Sequence, residues 1–139
     1  MDADPGMQDA LSADARIVSV GLGARGYDIA IGSGLLARSG ALISKRLGAV
    51  KCAIVTDENV AGAHLDTLLS ALETGCVHAG TLTLKPGEAT KSFSRLAPLC
   101  ERLLELGIER GDAVIAFGGG VVGDIAGFAA SILRRGVAL

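Results

Sequence analysis

The sequence predicts an α/β protein: a doubly wound, mostly parallel sheet entered through an N-terminal β-hairpin. Three observations carry this. Short apolar runs (Lys51–Thr56, Val77–Leu84 and Ala113–Phe117) alternate with longer segments of helical period, the rhythm of βαβ units. Ala113–Phe117 is unbroken rather than alternating, as a strand covered on both faces must be. Half of the 139 residues are apolar but only 3% are aromatic, so alanine, leucine and glycine do the packing, as in helices lying close on a sheet.

Met1–Ala15 is small, acidic and aperiodic, and reads as a disordered tail. The domain then runs from residue 16 to residue 139. Arg16–Val20 and Tyr27–Ile31 alternate apolar and polar residues, the pattern of half-buried strands. Between them Gly21-Leu-Gly23-Ala-Arg-Gly26 has the spacing of a dinucleotide turn, but a strand follows it where a helix is required, so it reads as a hairpin loop. Ser33–Leu47 carries leucines and Ile43 at helical spacing and stops at Gly48. After the strand Lys51–Thr56, Leu65, Leu68, Leu69 and Leu72 mark a helix that ends near Gly75. The strand Val77–Leu84 closes on the turn Pro86-Gly87-Glu88, and Ser92–Leu106 is a helix with the stripe Phe93, Leu96, Cys100, Leu103, Leu104. Pro98 inside it removes one backbone bond and predicts a kink or a late start.

Ala113–Arg135 is the stretch around which the rest is arranged: buried strand, glycine turn, helix. Gly118, Gly119 and Gly120 let backbone amides approach a ligand and adopt positive φ. Asp124 suits an N-cap, and Ile125, Phe128, Ala129, Ile132 and Leu133 recur at helical spacing. Arg134 and Arg135 sit where a last turn would favour cations, before Gly136. Strand, glycine turn and open helix N-terminus make an anion cradle, and Gly118-x-Gly120-x-x-Gly123 matches a dinucleotide fingerprint. The same span could be misread as a membrane helix with a Gly119, Gly123, Gly127 ladder, but three consecutive glycines and a central acid oppose that. Gly136–Leu139 reads as the opening of a further strand.

Ligands of such sheets bind beyond the carboxyl ends of the strands, where Asp57/Asn59, Glu88/Lys91 and Gly118–Asp124 all fall. The glycine turn comes late in the chain, so an acid for a ribose must lie upstream, and Asp57 is the candidate. Asp57 and Asn59 could each instead cap the helix that follows, and Glu88 with Lys91 could be an ordinary surface pair. Asp124 poses a puzzle, since an acid beside a pyrophosphate repels it. Net charge is −2 with signs interspersed, which gives no footprint for nucleic acid or an anionic membrane. Cys52, Cys76 and Cys100 lack metal spacing and read as reduced and cytoplasmic, and His64 and His78 read as structural. No cysteine, histidine and acid cluster and no serine elbow offers bond-breaking chemistry.

Gly118–Gly136, GGGVVGDIAGFAASILRRG, closely resembles the signature of the 3-dehydroquinate synthase family, within the sugar-phosphate cyclases. Val55–Val60 (VTDENV) and Pro86–Ser92 (PGEATKS) are similar to two more of its motifs, in the right order. The resemblance implies a Rossmann-like NAD-binding domain, with the family's helical C-terminal domain absent from this chain. That domain would hold a catalytic zinc or cobalt and most contacts to 3-deoxy-D-arabino-heptulosonate 7-phosphate, so no catalytic residue is expected here and the chain alone should not turn over. It implies that Asp57 and Asn59 contact the adenosine of NAD, Glu88 and Lys91 its ribose, and Gly119, Gly120, Val121 and Asp124 its pyrophosphate. It implies that Arg135 reaches across a homodimer to the partner's substrate, in a cytoplasmic enzyme that engages neither nucleic acid nor membrane. Three other readings remain: another cyclase such as 2-deoxy-scyllo-inosose synthase, an iron-dependent alcohol or glycerol dehydrogenase, and a non-catalytic nucleotide-binding module.

Overall fold

The computed structural model describes residues 15–139, so all but the last residue of the expected tail, Met1–Ala15, lies outside the described residues. In order come β1 (Arg16–Val20), β2 (Tyr27–Ile31), α1 (Ser39–Leu47), β3 (Val50–Asp57), α2 (Glu58–Leu72), β4 (Cys76–Leu84), α3 (Phe93–Glu105), β5 (Ala113–Phe117) and α4 (Gly120–Ile132). β1 and β2 pair antiparallel from Arg16↔Ile31 to Val20↔Tyr27, so Gly21–Gly26 is the hairpin loop that its context predicts.

The three remaining strands form a parallel sheet in the order β4-β3-β5. A parallel bridge from Ala138 to Ala113, with the Val114 amide donating to the Ala138 carbonyl at 2.8 Å, starts a fourth strand beyond β5. The expected strand at Gly136–Leu139 is therefore present as its first pairing.

β3 explains its own unbroken apolar run. Ala53 and Val55 pack on one face with Leu96, Leu99 and Leu103 of α3 and with Val122, Ile125, Ala126 and Ala129 of α4. Cys52 and Ile54 pack on the other with Leu68 and Leu72 of α2. Alternate residues thus enter different cores, and each must be apolar. On the second face α1 lies unusually close to α2, because a Cβ on Gly40 would collide with the Ala71 carbonyl and one on Gly75 with the Gly40 carbonyl.

Three local expectations need correction. The helix expected from Ser33 begins as α only at Ser39, after a left-handed Gly34 and a 3₁₀ turn at Leu36–Arg38, with the Ser39 hydroxyl donating to the Leu36 carbonyl at 2.8 Å. α3 starts on time at Phe93 and is assigned without a break through Pro98, which is exposed, so solvent can serve the Ser94 carbonyl that loses its partner. The expected stripes of α3 and α4 hold at Leu96, Leu103, Ile125, Ala129 and Leu133, but Phe93 is 80% exposed and Phe128 49%, while Leu99, Val122, Ala126 and Ala130 are also buried. The stretch Ala113–Arg135 is the strand, turn and helix that the sequence predicts, and no described helix is long and apolar enough to cross a membrane.

Candidate functional site

The chain moves from β3 to β4 on one side and then to β5 on the other. Its direction of progress reverses at β3, which makes the carboxyl ends of β3 and β5 the switch point of the sheet. The register sets Thr56 opposite Phe117 and Asp57 opposite Leu84. The segments that leave β3, β4 and β5 therefore emerge side by side, and Asp57, Asn59, Glu88, Lys91, Gly119, Gly120, Val121 and Asp124 share one edge.

Asp57 is the N-cap of α2, with Oδ1 accepting the Val60 amide at 2.9 Å. Asn59 therefore does not cap. It sits exposed in the first turn of α2, with no side-chain hydrogen bond among the described residues.

α4 begins at Gly120 on Gly119 as N-cap, with no side-chain cap. The first amides of any α-helix lack intrahelical acceptors, and here no side chain covers them. The glycines deserve a separate account. A Cβ on Gly118 would lie 2.7 Å from Val122 Cγ2, so this glycine serves packing. At Gly119, Gly120 and Gly123 a Cβ would meet nothing within 4 Å, and none has the positive φ expected of the turn. The fold itself makes no use of the missing side chains at those three positions, whereas a ligand approaching the helix start does.

Asp124 is not the N-cap predicted for it, because the helix starts four residues earlier, within the glycine run. Its carboxylate, 68% exposed, lies 2.7 Å from the Lys91 ammonium, which also lies 3.3 Å from Glu88. The surface-pair reading of Glu88 and Lys91 was half of a larger arrangement. The hydrogen bond to Asp124, followed by that to Glu88, raises the Lys91 pKa above its ordinary value. The puzzle of an acid near an anion site thus has a physical answer: Lys91 offsets its charge, and it stands one turn along from the open amides.

Arg135 is elsewhere. α4 ends at Ile132, and Arg134 (φ 48°), Arg135 (φ 67°) and Gly136 (φ 110°) follow in left-handed conformation, so neither arginine occupies the α-helical last turn expected. Arg134 pairs with Glu109 at 3.2 Å, while Arg135 is exposed and forms no ion pair among the described residues. At the far end of a 13-residue helix, about 20 Å from the glycine turn, it cannot serve the same edge.

Two features escaped sequence reasoning. Phe93 and Phe128 meet edge to face, centroids 6.2 Å apart, over a mainly apolar cleft of about 280 Å³ whose rim is Lys91 and Asp124. Both rings belong to the stripes of helical period in the sequence, and no local signal marks their exposure. Thr90 is a buried polar side chain, 4% exposed, inside the turn between Glu88 and Lys91. The cysteines are free; burial first, then Cys76 nearby, pushes the Cys52 thiol up to about 12, which leaves it inert at neutral pH. Among the described residues no group of three or more His, Cys, Asp or Glu could hold a metal ion.

The family profile described as "3-dehydroquinate synthase N-terminal" matches residues 81–139. By sequence, the chain is similar to 3-dehydroquinate synthases. It is 56% identical over 128 residues to the 3-dehydroquinate synthase of Mesorhizobium japonicum and 54% identical over 127 residues to that of Agrobacterium fabrum, in each case 91% of this chain and 34% of the relative. The chain therefore spans about a third of the length of the curated 3-dehydroquinate synthases it matches. Among solved structures, a 2-deoxy-scyllo-inosose synthase complexed with carbaglucose-6-phosphate, NAD⁺ and Co²⁺ superposes with TM-score 0.76 at 27% identity, over 89% of this chain and 34% of that one. A 2-epi-5-epi-valiolone synthase from Streptomyces hygroscopicus with NAD⁺ and Zn²⁺ bound follows at TM-score 0.67 and 26% identity, over 80% of this chain and 30% of that one. The Rossmann-like α/β fold expected from the sequence is thus shared with sugar-phosphate cyclases.

Proposed function

We propose that this chain is the NAD-binding N-terminal part of a 3-dehydroquinate synthase, which converts 3-deoxy-D-arabino-heptulosonate 7-phosphate to 3-dehydroquinate and phosphate. The observation that carries the reading is the glycine cradle at the switch point, open at Gly119, Gly120 and Gly123 for no reason internal to the fold. The bound NAD⁺ in two structural neighbours supports it.

In this reading the uncapped amides at the start of α4 bind the pyrophosphate, with Gly119, Gly120 and Val121 against it. Asp57 retains one carboxylate oxygen for an adenosine hydroxyl while the other caps α2, and Asn59, free of capping, is a second partner. Glu88 and Lys91 face the ribose, and Asp124, held by Lys91, takes a hydroxyl at the edge of the pyrophosphate site. When bound, NAD would accept a hydride from the substrate and return it, so the overall elimination of phosphate carries no net redox change. A zinc or cobalt ion belongs to the proposed whole enzyme, and the described residues offer no ligand set for it. Arg135, remote from this chain's own edge, fits a role in the partner's substrate site within a cytoplasmic homodimer.

Calorimetric titration of NAD⁺ into the parent chain and into Gly120→Trp tests the reading. Saturable binding by the parent, weakened more than about 100-fold by a ring placed against the helix amides, is the expected result. Equal binding by both would remove the cradle from the site. A related cyclase activity is the second reading, favoured by the superposition on 2-deoxy-scyllo-inosose synthase, and product analysis on the full-length protein separates the two.

A further inference from the structure

Thr90 stands inside the proposed nucleotide site without touching any group assigned to the cofactor. Its hydroxyl donates to the Lys85 carbonyl at 2.6 Å, so a part-buried bond from a buried side chain ties the end of the turn back to the residue just after β4. Besides the Glu88–Lys91 ion pair, backbone bonds close the turn: the Thr90 amide donates to the Gly87 carbonyl at 3.0 Å, Lys91 to Glu88 at 3.0 Å, and Ser92 to Thr90 at 2.9 Å. Gly87, at φ 103°, lets the chain enter it. Lys91 follows directly, in a non-helical conformation (φ −74°, ψ 71°) that launches its side chain toward α4.

A long, exposed lysine holds a carboxylate weakly by itself, because ordering its side chain costs entropy and water screens the pair. Such a pair persists where the backbone beneath it is already fixed. Valine has the same shape as threonine and would fill the same buried space, so what threonine adds here is the hydroxyl.

We infer that Thr90 is a positioning residue for the nucleotide site: its buried hydroxyl fixes the Glu88–Lys91 turn so that the Lys91 ammonium stays on Asp124, beside the open amides of α4. The inference rests on the NAD reading above, and it explains how an acidic residue is tolerated next to a pyrophosphate. With the turn loosened, Lys91 leaves Asp124 and the uncompensated carboxylate opposes the anion.

The test uses Thr90→Val and Thr90→Ser, each made in the parent and in Lys91→Met, with NAD⁺ affinity by calorimetry and the Lys91 Cε resonance followed by NMR against pH. Thr90→Val should weaken NAD⁺ about tenfold and Thr90→Ser should restore it. On the Lys91→Met background Thr90→Val should change affinity less than about twofold, since a residue acting through Lys91 has nothing left to position. Lys91 should titrate above the ordinary lysine range in the parent and in Thr90→Ser, and fall back toward it in Thr90→Val. Equal loss of affinity with and without Lys91, or a Lys91 titration that Thr90→Val leaves unmoved, overturns the inference. If the parent binds no NAD⁺, the cofactor reading fails while the Lys91 titration still decides the positioning. Thr90→Cys, close in volume and a weak donor, is read by the same criteria should Thr90→Val not fold.

Discussion

The loop Gly21–Gly26 and the turn Gly118–Gly123 carry glycine at the same three positions, yet the first joins two antiparallel strands and the second opens a helix at a parallel strand's end. The fold uses glycine in the hairpin. Gly23 is left-handed at φ +60°, and a Cβ on Gly26 would sit 3.2 Å from the carbonyls of Gly23 and Val20. In the second turn only Gly118 is required by packing, and Gly119, Gly120 and Gly123 are left open. Spacing alone therefore does not make a phosphate site. What makes one is a helix that starts on the glycines and a surface from which side chains are missing without structural need.

Substitutions at four positions probe that contrast. Gly118→Ala should cost the most stability, about 1–3 kcal/mol in urea unfolding, because its Cβ meets the branched Val122 side chain rather than a flexible end. Tolerance of alanine there would show that α4 can shift relative to β5, and the tight strand-to-helix turn would lose its explanation. Gly23→Ala forces a left-handed alanine and should cost about 1–2 kcal/mol. It should leave NAD⁺ affinity at the parent value, and a change in affinity would bring the hairpin loop into the site.

Asp57 separates capping from recognition. Asp57→Ala should lose about 1 kcal/mol with its bond to the Val60 amide, while Asp57→Asn, itself a good cap, should keep most of that. A fall in NAD⁺ affinity in both variants supports the adenosine contact, whereas parent affinity in Asp57→Asn leaves the residue a cap alone. The smallest effect on stability is also the most diagnostic. Gly120→Ala has ordinary φ and no neighbour, so it should raise stability by about 0.5–1 kcal/mol while weakening NAD⁺. A variant that is more stable and binds worse is what a cradle kept open for a ligand predicts, and improved binding would contradict it.

The lysine turn offers a second lesson about the same edge. Glu88 and Lys91 are three residues apart and could be paired from sequence. The shorter contact, to Asp124, spans two elements and had no local signature. Phe93 and Phe128 show the reverse error. Each continues a helical stripe, so periodicity placed both in the core, but α3 and α4 pack through Leu96, Leu99, Val122 and Ile125 and leave the two rings outside against each other. The same packing leaves Asp124 exposed one turn inside α4, at a position where a sequence pattern invites a cap.

Much of the architecture was determined by the sequence itself. β1 and β2 match the two runs in which apolar and polar residues interchange, and the hairpin reading of Gly21–Gly26 follows from the strand after it. The parallel sheet follows from apolar runs too continuous for one-sided strands. These are short-range properties, written in the periodicity of neighbours, and local sterics and burial suffice to enforce them. Only the tertiary structure decided that β5 lies on the opposite side of β3 from β4, that Lys91 holds Asp124, that Thr90 is buried, and that Arg135 is a helix length away from the glycine turn. Each of those depends on which surfaces meet across tens of residues of intervening chain, and a periodic pattern specifies that a face is buried without specifying what covers it.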